Sequence, residues 1–584
     1  MLFSLGHGQH VIVDTGEPLP QLDATNTKDD AIPYEAVMDA EGPGGDMQLD
    51  ATEPAAPGGP FAYYFRDAYA LPEEDGIADK LDALADAMVE AAGDLPQQDA
   101  SVPPIFTYLG QFIDHDITAM ADRVAQLSAI DGSVTPISRD EAESGLMNMR
   151  DGSLRLDSLY GDTVGQGPFA TKLANLMRHP AFSGKMRLGI PNPTGPQVPP
   201  FPSNDDAADL LRLGALIDQG QITQSELDQL PPELRSGFTN DDGTPKREVA
   251  IIGDARNDEN LVVAQLHMSF LRFHNRLVDA LGNLNSAREM MRWHYQWLLV
   301  NPYLHTVCDP AVVDDVLAHE APLYSDFFAA HRNGGGSAQM PMPLEFSVAA
   351  FRFGHSMIRG AYDYNRFFGE PEGNVAGNLP DAPFDLLFAF TGMGTMAGQR
   401  GKLPRNWVIE WSRFTQIDPA HPTRAARRID TQLAPPLADM VNEAAGVFKH
   451  LARRNLRRGY RLSLPTAQAC IAELAAGPYP GLTALSRADL TSGPAGAELD
   501  SAGLADATPL WFYILKEAEV AADGQHLGPL GSILVAETLI GLVLNDPTSY
   551  WHAGNGTTWS PSDANLPGGP VNSYDELLRF AGMM

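Results

Sequence analysis

From position 259 to 281, apolar side chains recur at helical spacing, anchored by Leu266, Phe270, Phe273, Leu277 and Leu281. Residues three and four apart share a helix face, so this stripe demands burial along one side of a long helix. The pattern resumes over 287–299, packed with Trp293, Tyr295 and Trp297. Two such helices in succession can be covered only by other helices or a sheet, and alternating patterns that would mark strands are scarce and short. Further helical stretches are predicted at 77–92, 349–359, 437–458, 467–475, 510–520 and 531–544. The Pro/Gly-rich stretch 191–203 and the glycines 334–336 read as loops. Residues 1–60, rich in Asp, Glu, Pro and Gly, read as an extended arm with little core of its own. The fold class is therefore mainly α, a large single helical domain over 61–584 with few short strands, preceded by that arm.

Charge narrows the function classes. The formal net charge of −35 over 584 residues argues against nucleic acid and anionic membrane surfaces, which require Lys and Arg. Two cysteines, Cys308 and Cys470, make neither a disulfide framework nor a zinc site. The N-terminus lacks a basic stretch followed by an apolar core, so no signal peptide is visible. The apolar run 530–544 is too short to span a bilayer. A soluble protein is expected, cytoplasmic or exported by a non-classical route.

Four segments place unusual polar residues within apolar, helical surroundings. In Gln111-Phe112-Ile113-Asp114-His115-Asp116, a helix puts Gln111, Asp114, His115 and Thr118 on one face, too polar for a core unless it meets a cofactor or water. A His flanked by two Asp is a site candidate, although a capped, partly exposed helix start would look similar. In Arg256-Asn257-Asp258-Glu259, the acidic pair suits a helix N-terminus while Arg256 opposes the dipole. In Arg352-Phe353-Gly354-His355, Gly354 removes bulk beside the imidazole, which suits close approach by something flat. In Arg453-Arg454-Asn455-Leu456-Arg457-Arg458, a basic cluster within an acidic chain suggests an anionic partner such as cofactor carboxylates.

Together and in this order, the four segments resemble the motifs of the animal-type haem peroxidase family, in the peroxidase–cyclooxygenase superfamily, here as a bacterial member. The resemblance covers roughly residues 60 to 550. It implies haem b, with His355 as proximal iron ligand and Asn455 accepting its Nδ1 proton. It implies His115 as the base and then acid that moves the peroxide proton, with Arg256 stabilising the departing oxygen and Gln111 holding water or halide. Arg352 and Arg458 would pair with the propionates. Asp114 and Glu259 stand at the family's ester-forming positions, whereas Asn260 stands where one member bonds a vinyl group through Met. Hydrogen peroxide would be reduced through a ferryl haem that oxidises a small donor: a phenol or other aromatic, iodide, bromide or thiocyanate.

The resemblance also implies calcium, held by Asp116 with Asp151, Ser153 and Asp157. The loop departs from the family at Arg155, where an Asp is usual, so either calcium or that guanidinium supplies the positive charge. The radical tyrosine of cyclooxygenases would fall at Arg352, which disfavours that mechanism. The alternatives are a haem carrier or sensor without peroxide turnover, which has no use for the His115–Arg256 pair, and a haem-dependent oxygenase on the same fold. A nucleotide-dependent enzyme would rest on the strand-like 384–390 and the glycines 392–398, whose spacing is one residue longer than the dinucleotide fingerprint. A metal phosphohydrolase built on His115-Asp116 lacks further ligands at suitable spacing.

Overall fold

A computed structural model describes residues 60–90, 99–122, 130–148, 150–161, 168–182, 184–191, 207–230, 232–332, 340–368, 382–391, 403–440, 443, 446–554 and 558–584, with two short strands, Leu2–Ser4 and His10–Ile12. The rest of the arm, most of the 191–203 loop and the glycines at 334–336 and 392–398 lie outside the described residues.

The seven helices that frame the site are α1 (Ile77–Ala87), α2 (Ile105–Ile117), α3 (Leu261–Leu281), α4 (Leu284–Leu298), α5 (Leu451–Arg461), α6 (Leu510–Ala522) and α7 (Pro529–Asn545). The long central stripe resolves into α3 and α4. Asn260 caps α3 by accepting the Val263 N–H, and Gly282 ends it at φ 80°, where a side chain would be strained. Asn283 then caps α4 through the Ser286 N–H. The predicted helices at 77–92, 467–475, 510–520 and 531–544 form within a few residues of those bounds.

Three local readings are corrected. The segment 349–359 is not an α-helix: a π-helix, Glu345–Ala349, runs into a 3-10 helix, Ala350–His355. The Ser347 carbonyl accepts Arg352 Nε at 2.8 Å, so a side chain takes a group that regular winding would give to the backbone. The stretch 437–458 holds a helix only in its last part. The proline pair at 435–436 begins a short 3-10 turn, Pro435–Ala438, Gly446 at φ 80° opens another, and α5 starts after His450. The strand-like segment 384–390 is instead a 3-10 turn, Phe384–Phe388.

Strands among the described residues form four two-stranded ladders. One, Phe61–Ala62 parallel to Met342–Pro343, ties the start of the body to the segment ahead of His355. Buried Glu345 reinforces it by accepting the N–H groups of Tyr64 (3.0 Å) and Phe65 (3.1 Å). Helix α2 packs on α3 and on the 3-10 helix, while α5 and α6 pack behind that helix and the π-helix before it. One contiguous apolar core includes residues from Phe61 to Met583. None of the helices among the described residues is long and apolar enough to cross a membrane.

Candidate functional site

Helix α2 is amphipathic in an unusual sense, because both of its faces are buried. On one side Phe112 stacks on Phe270 of α3, with ring centres 4.7 Å apart. On the other, Phe106, Gly110, Gln111 and Asp114 follow the three-and-four spacing and line a cavity. The far wall of that cavity is Phe351, Arg352, Phe353, Gly354 and His355. Gly110 has a steric reason: a Cβ there would stand 2.7 Å from the Tyr303 hydroxyl, which also borders the cavity. Tyr303 arrives there on a π-helix, Leu299–Tyr303, that extends α4 through Pro302.

The structure thus brings Gln111, Asp114, Arg352 and His355 to one cavity. Arg352 Nη1 lies 3.1 Å from Asp114 Oδ2, and Thr118 Oγ1 donates to Asp114 Oδ1 at 2.9 Å. Burial raises the Asp114 pKa, opposed by the positive charges of Arg352 and Arg256. The Asn455 amide lies 2.8 Å from His355 Nδ1. With its nitrogen inward the amide donates to Nδ1. A half-turn, which exchanges groups of near-identical shape, makes Oδ1 the acceptor of an Nδ1–H. Burial holds His355 neutral, with its pKa well below the usual value, and Arg352, Arg454 and Arg458 push the same way. Arg458 is buried, and its described role is this electrostatic one.

His115, Arg256 and Glu259 are not among the residues that line the cavity; Glu259 connects to it through Gln111, and Arg256 bonds the His115 carbonyl. His115 Nδ1 is 2.8 Å from Asn257 Oδ1, and its Nε2 is buried without a hydrogen-bond partner. Burial, followed by the charge of Arg256, lowers the His115 pKa to about 3. Arg256 Nε and Nη2 grip Asp254 at 2.6–3.0 Å, and Nη2 donates to the carbonyls of His115 (3.0 Å) and Thr118 (2.9 Å). The guanidinium therefore clamps the carbonyl end of α2, where a cation is favoured. Glu259 Oε1 accepts from Gln111 Nε2 at 3.3 Å and its Oε2 has no partner. Burial, then the nearby Glu443 charge, raises its pKa to about 7. Asn260 donates to Gln111 Oε1 at 3.0 Å, so the Gln111 amide is held at both ends.

The residues expected to bind calcium are differently engaged. Asp116 accepts the N–H groups of Leu156 (3.1 Å) and Ser158 (3.0 Å), and burial raises its pKa to about 7. Asp151 accepts from the Ser153 N–H and hydroxyl (2.9 and 2.6 Å). Asp157 pairs with Arg150 at 2.5 Å, and Arg150 also bridges to Asp254. Arg155 pairs with buried Asp546, at 2.9 Å. Two guanidiniums thus supply positive charge to these carboxylates, Arg150 at Asp157 and Arg155 at Asp151, 3.8 Å away. Among the described residues no group of three or more His, Cys, Asp or Glu is placed to hold a metal ion. Asn257, Asp254, Arg150, His267 and Tyr303 were all missed from sequence. Only Asp254 carried a local signal, as an N-cap two residues before Arg256, whose N–H it accepts at 2.9 Å.

Comparison with known proteins bears on residues 201–382, which match the family described as Animal haem peroxidase. The chain is 31% identical over 136 residues to a peroxidase-like protein of Margaritifera margaritifera, covering 21% of this chain and 16% of that protein. It is 24% identical over 306 residues to heme peroxidase 2 of Caenorhabditis elegans, covering 50% of this chain and 39% of that protein. The chain thus spans well under half the length of these curated relatives. In three dimensions it is similar to peroxidase A from Dictyostelium discoideum, with a TM-score of 0.54 at 14% identity, covering 90% of this chain and 94% of that one. The segment 201–382 is therefore similar to the animal haem peroxidase family, and the chain has a mainly helical fold similar to that of a solved peroxidase.

Proposed function

We propose that the chain is a haem peroxidase that uses hydrogen peroxide to oxidise a small donor, a phenol or other aromatic, iodide, bromide or thiocyanate. The observation that carries this reading is the cavity itself. Its apolar, aromatic walls suit a flat macrocycle, Arg352 supplies a cation for propionates, and a neutral imidazole, His355, stands on one side with Gln111 and Asp114 opposite. The orphaned, buried Nε2 of His115 and Oε2 of Glu259 are the kind of polar atoms that a bound group and its water would satisfy. His355 would hold the iron, with Asn455 fixing its tautomer, and Arg458 adding positive charge behind it. Bound there, haem supplies the redox-active iron at which peroxide is reduced.

The chain's own residues manage the protons. His115 is neutral, so its Nε2 lone pair is ready to accept a proton from peroxide and return it to the departing oxygen. Arg256 keeps the end of α2, and with it His115, in place, and its positive charge favours negative charge developing nearby. Asp114, on the cavity wall, and Glu259, bonded to Gln111, are the carboxylates that would form any ester links to the cofactor. Asp116 and Asp157 act through Arg150, and Asp151 with Ser153 through Arg155, in this reading, with no step assigned to calcium.

Titration with hemin tests it. A Soret band should form with one equivalent, and peroxide plus guaiacol, iodide or bromide should turn over. His355→Ala should abolish the band, and His115→Ala should keep it while slowing the peroxide reaction about 100-fold or more. Hemin binding without turnover would favour a carrier and overturn the enzymatic reading.

A further inference from the structure

Asn257 stands between two histidines. Its Oδ1 lies 2.8 Å from His115 Nδ1, and its Nδ2 lies 3.0 Å from His267 Nδ1. All three side chains are fully buried. An amide is two-faced: the oxygen only accepts and the NH2 only donates. Which face meets His115 therefore decides which of its nitrogens carries the proton. If Oδ1 faces His115, Nδ1 must be protonated and Nε2 is left as the bare lone pair. If the amide turns over, Nδ1 becomes the acceptor and Nε2 carries the hydrogen, useless as a base.

We propose that His267 and Asn257 are positioning residues that lock His115 in the Nδ1–H tautomer, His267 acting by holding the Asn257 amide the right way round. Resting on the peroxidase reading above, this assigns a task to two residues that the reaction itself does not touch.

Several features fit. His267 Nδ1 can hold the amide nitrogen only as an acceptor, so its own proton sits on Nε2, which is buried without a partner. An unsatisfied buried N–H is costly, and an ordinary core position would carry Leu or Phe without that cost. Burial keeps both imidazoles neutral, each with its pKa lowered to about 3, so neither escapes the tautomer question by taking a second proton. The backbone is equally constrained. Asn257 sits in a one-turn 3-10 helix, Ala255–Asp258, capped by Asp254, and its N–H bonds the Asp254 carbonyl at 3.0 Å. His267 projects from the buried part of α3, against Phe112 of α2. The amide is thus a joint between two rings carried on buried, hydrogen-bonded backbone.

The test uses full-length protein with 15N-labelled histidine, in which His115 and His267 signals are assigned by single substitution. Wild-type His115 should show a protonated Nδ1 and an unprotonated Nε2. His267→Phe and Asn257→Ala should each lose that single tautomer, whereas His267→Gln, whose side-chain oxygen can still accept from the amide, should keep it. In hemin-loaded protein the second-order rate with peroxide should fall about 10- to 100-fold in the first two variants and stay near wild type in the third. Hemin affinity and the Soret maximum should not move. An Nε2–H tautomer in wild type, or an unchanged tautomer in both His267→Phe and Asn257→Ala, overturns the proposal. Absence of any peroxide reaction in loaded wild type would sink the peroxidase reading alone, since the nitrogen signals report the lock independently.

Discussion

Asp114 and Arg352, 238 positions apart in the chain, meet at 3.1 Å on the wall of a single cavity. Both are almost completely buried. Such a pair is strongly destabilised by losing one member, because the survivor keeps its desolvation cost without its partner. Arg352→Leu should therefore lower the unfolding free energy at pH 7 by about 3 kcal/mol. The sign of the pH dependence follows from Asp114, whose pKa is already raised by burial and rises further without Arg352. A carboxyl with a raised folded pKa costs stability above its unfolded pKa and recovers it as pH falls through the folded one. The deficit of the variant should shrink between pH 7 and pH 5, as read by urea denaturation.

Gly110 leaves room for the Tyr303 hydroxyl, 2.7 Å from where a Cβ would be. Gly110→Ala should push that ring into the cavity and weaken hemin binding, with an overpacking cost of about 1–3 kcal/mol in stability. Removing the hydroxyl relieves the clash, so the double variant Gly110→Ala/Tyr303→Phe should regain most of the affinity. A hemin titration of the four proteins checks this.

Arg150 bridges Asp157 and Asp254, and Asp254 in turn grips Arg256. Arg150→Met leaves two buried carboxylates short of their cation and should cost about 3–5 kcal/mol. It should also slow the peroxide reaction by loosening Arg256. Because a guanidinium already neutralises these carboxylates, EDTA should leave the wild-type thermal transition where it was. A drop in Tm on chelation, restored by calcium, would show that an ion shares the loop.

Glu517 is buried and accepts the N–H groups of Leu530 (2.8 Å) and Gly531 (3.3 Å) at the start of α7. Burial raises its pKa to about 8. Its ionisation therefore costs stability progressively from the unfolded pKa near 4.5 up to about 8. Glu517→Gln keeps an acceptor and removes the charge. Its stability relative to wild type should rise with pH over that window, by up to about 1.4 kcal/mol per pH unit, and level off above pH 8.

Much of the helical architecture was legible because its causes are local. The stripe of Leu266, Phe270, Phe273 and Leu277 acts within a turn or two of one helix; the caps Asn260 and Asn283 and the stop at Gly282, which the structure added, are equally local. The same locality explains why 349–359 was misread. Its periodicity is helical, but the winding there is decided by Arg352 reaching back to Ser347 and by packing against α2, α5 and α6.

Of the residues that the resemblance singled out, Gln111, Asp114, Arg352 and His355 line one cavity, while Asn455 meets His355 and Arg256 meets the end of the helix that carries His115. Partners were another matter. Arg150 joins Asp157 to Asp254, Arg352 meets Asp114, and Asn257 links His115 to His267. Helix periodicity and capping are short-range physics, repeated at every position of the chain. A hydrogen bond between side chains more than a hundred residues apart depends on how whole helices pack, and only the tertiary structure decides which buried donor finds which acceptor.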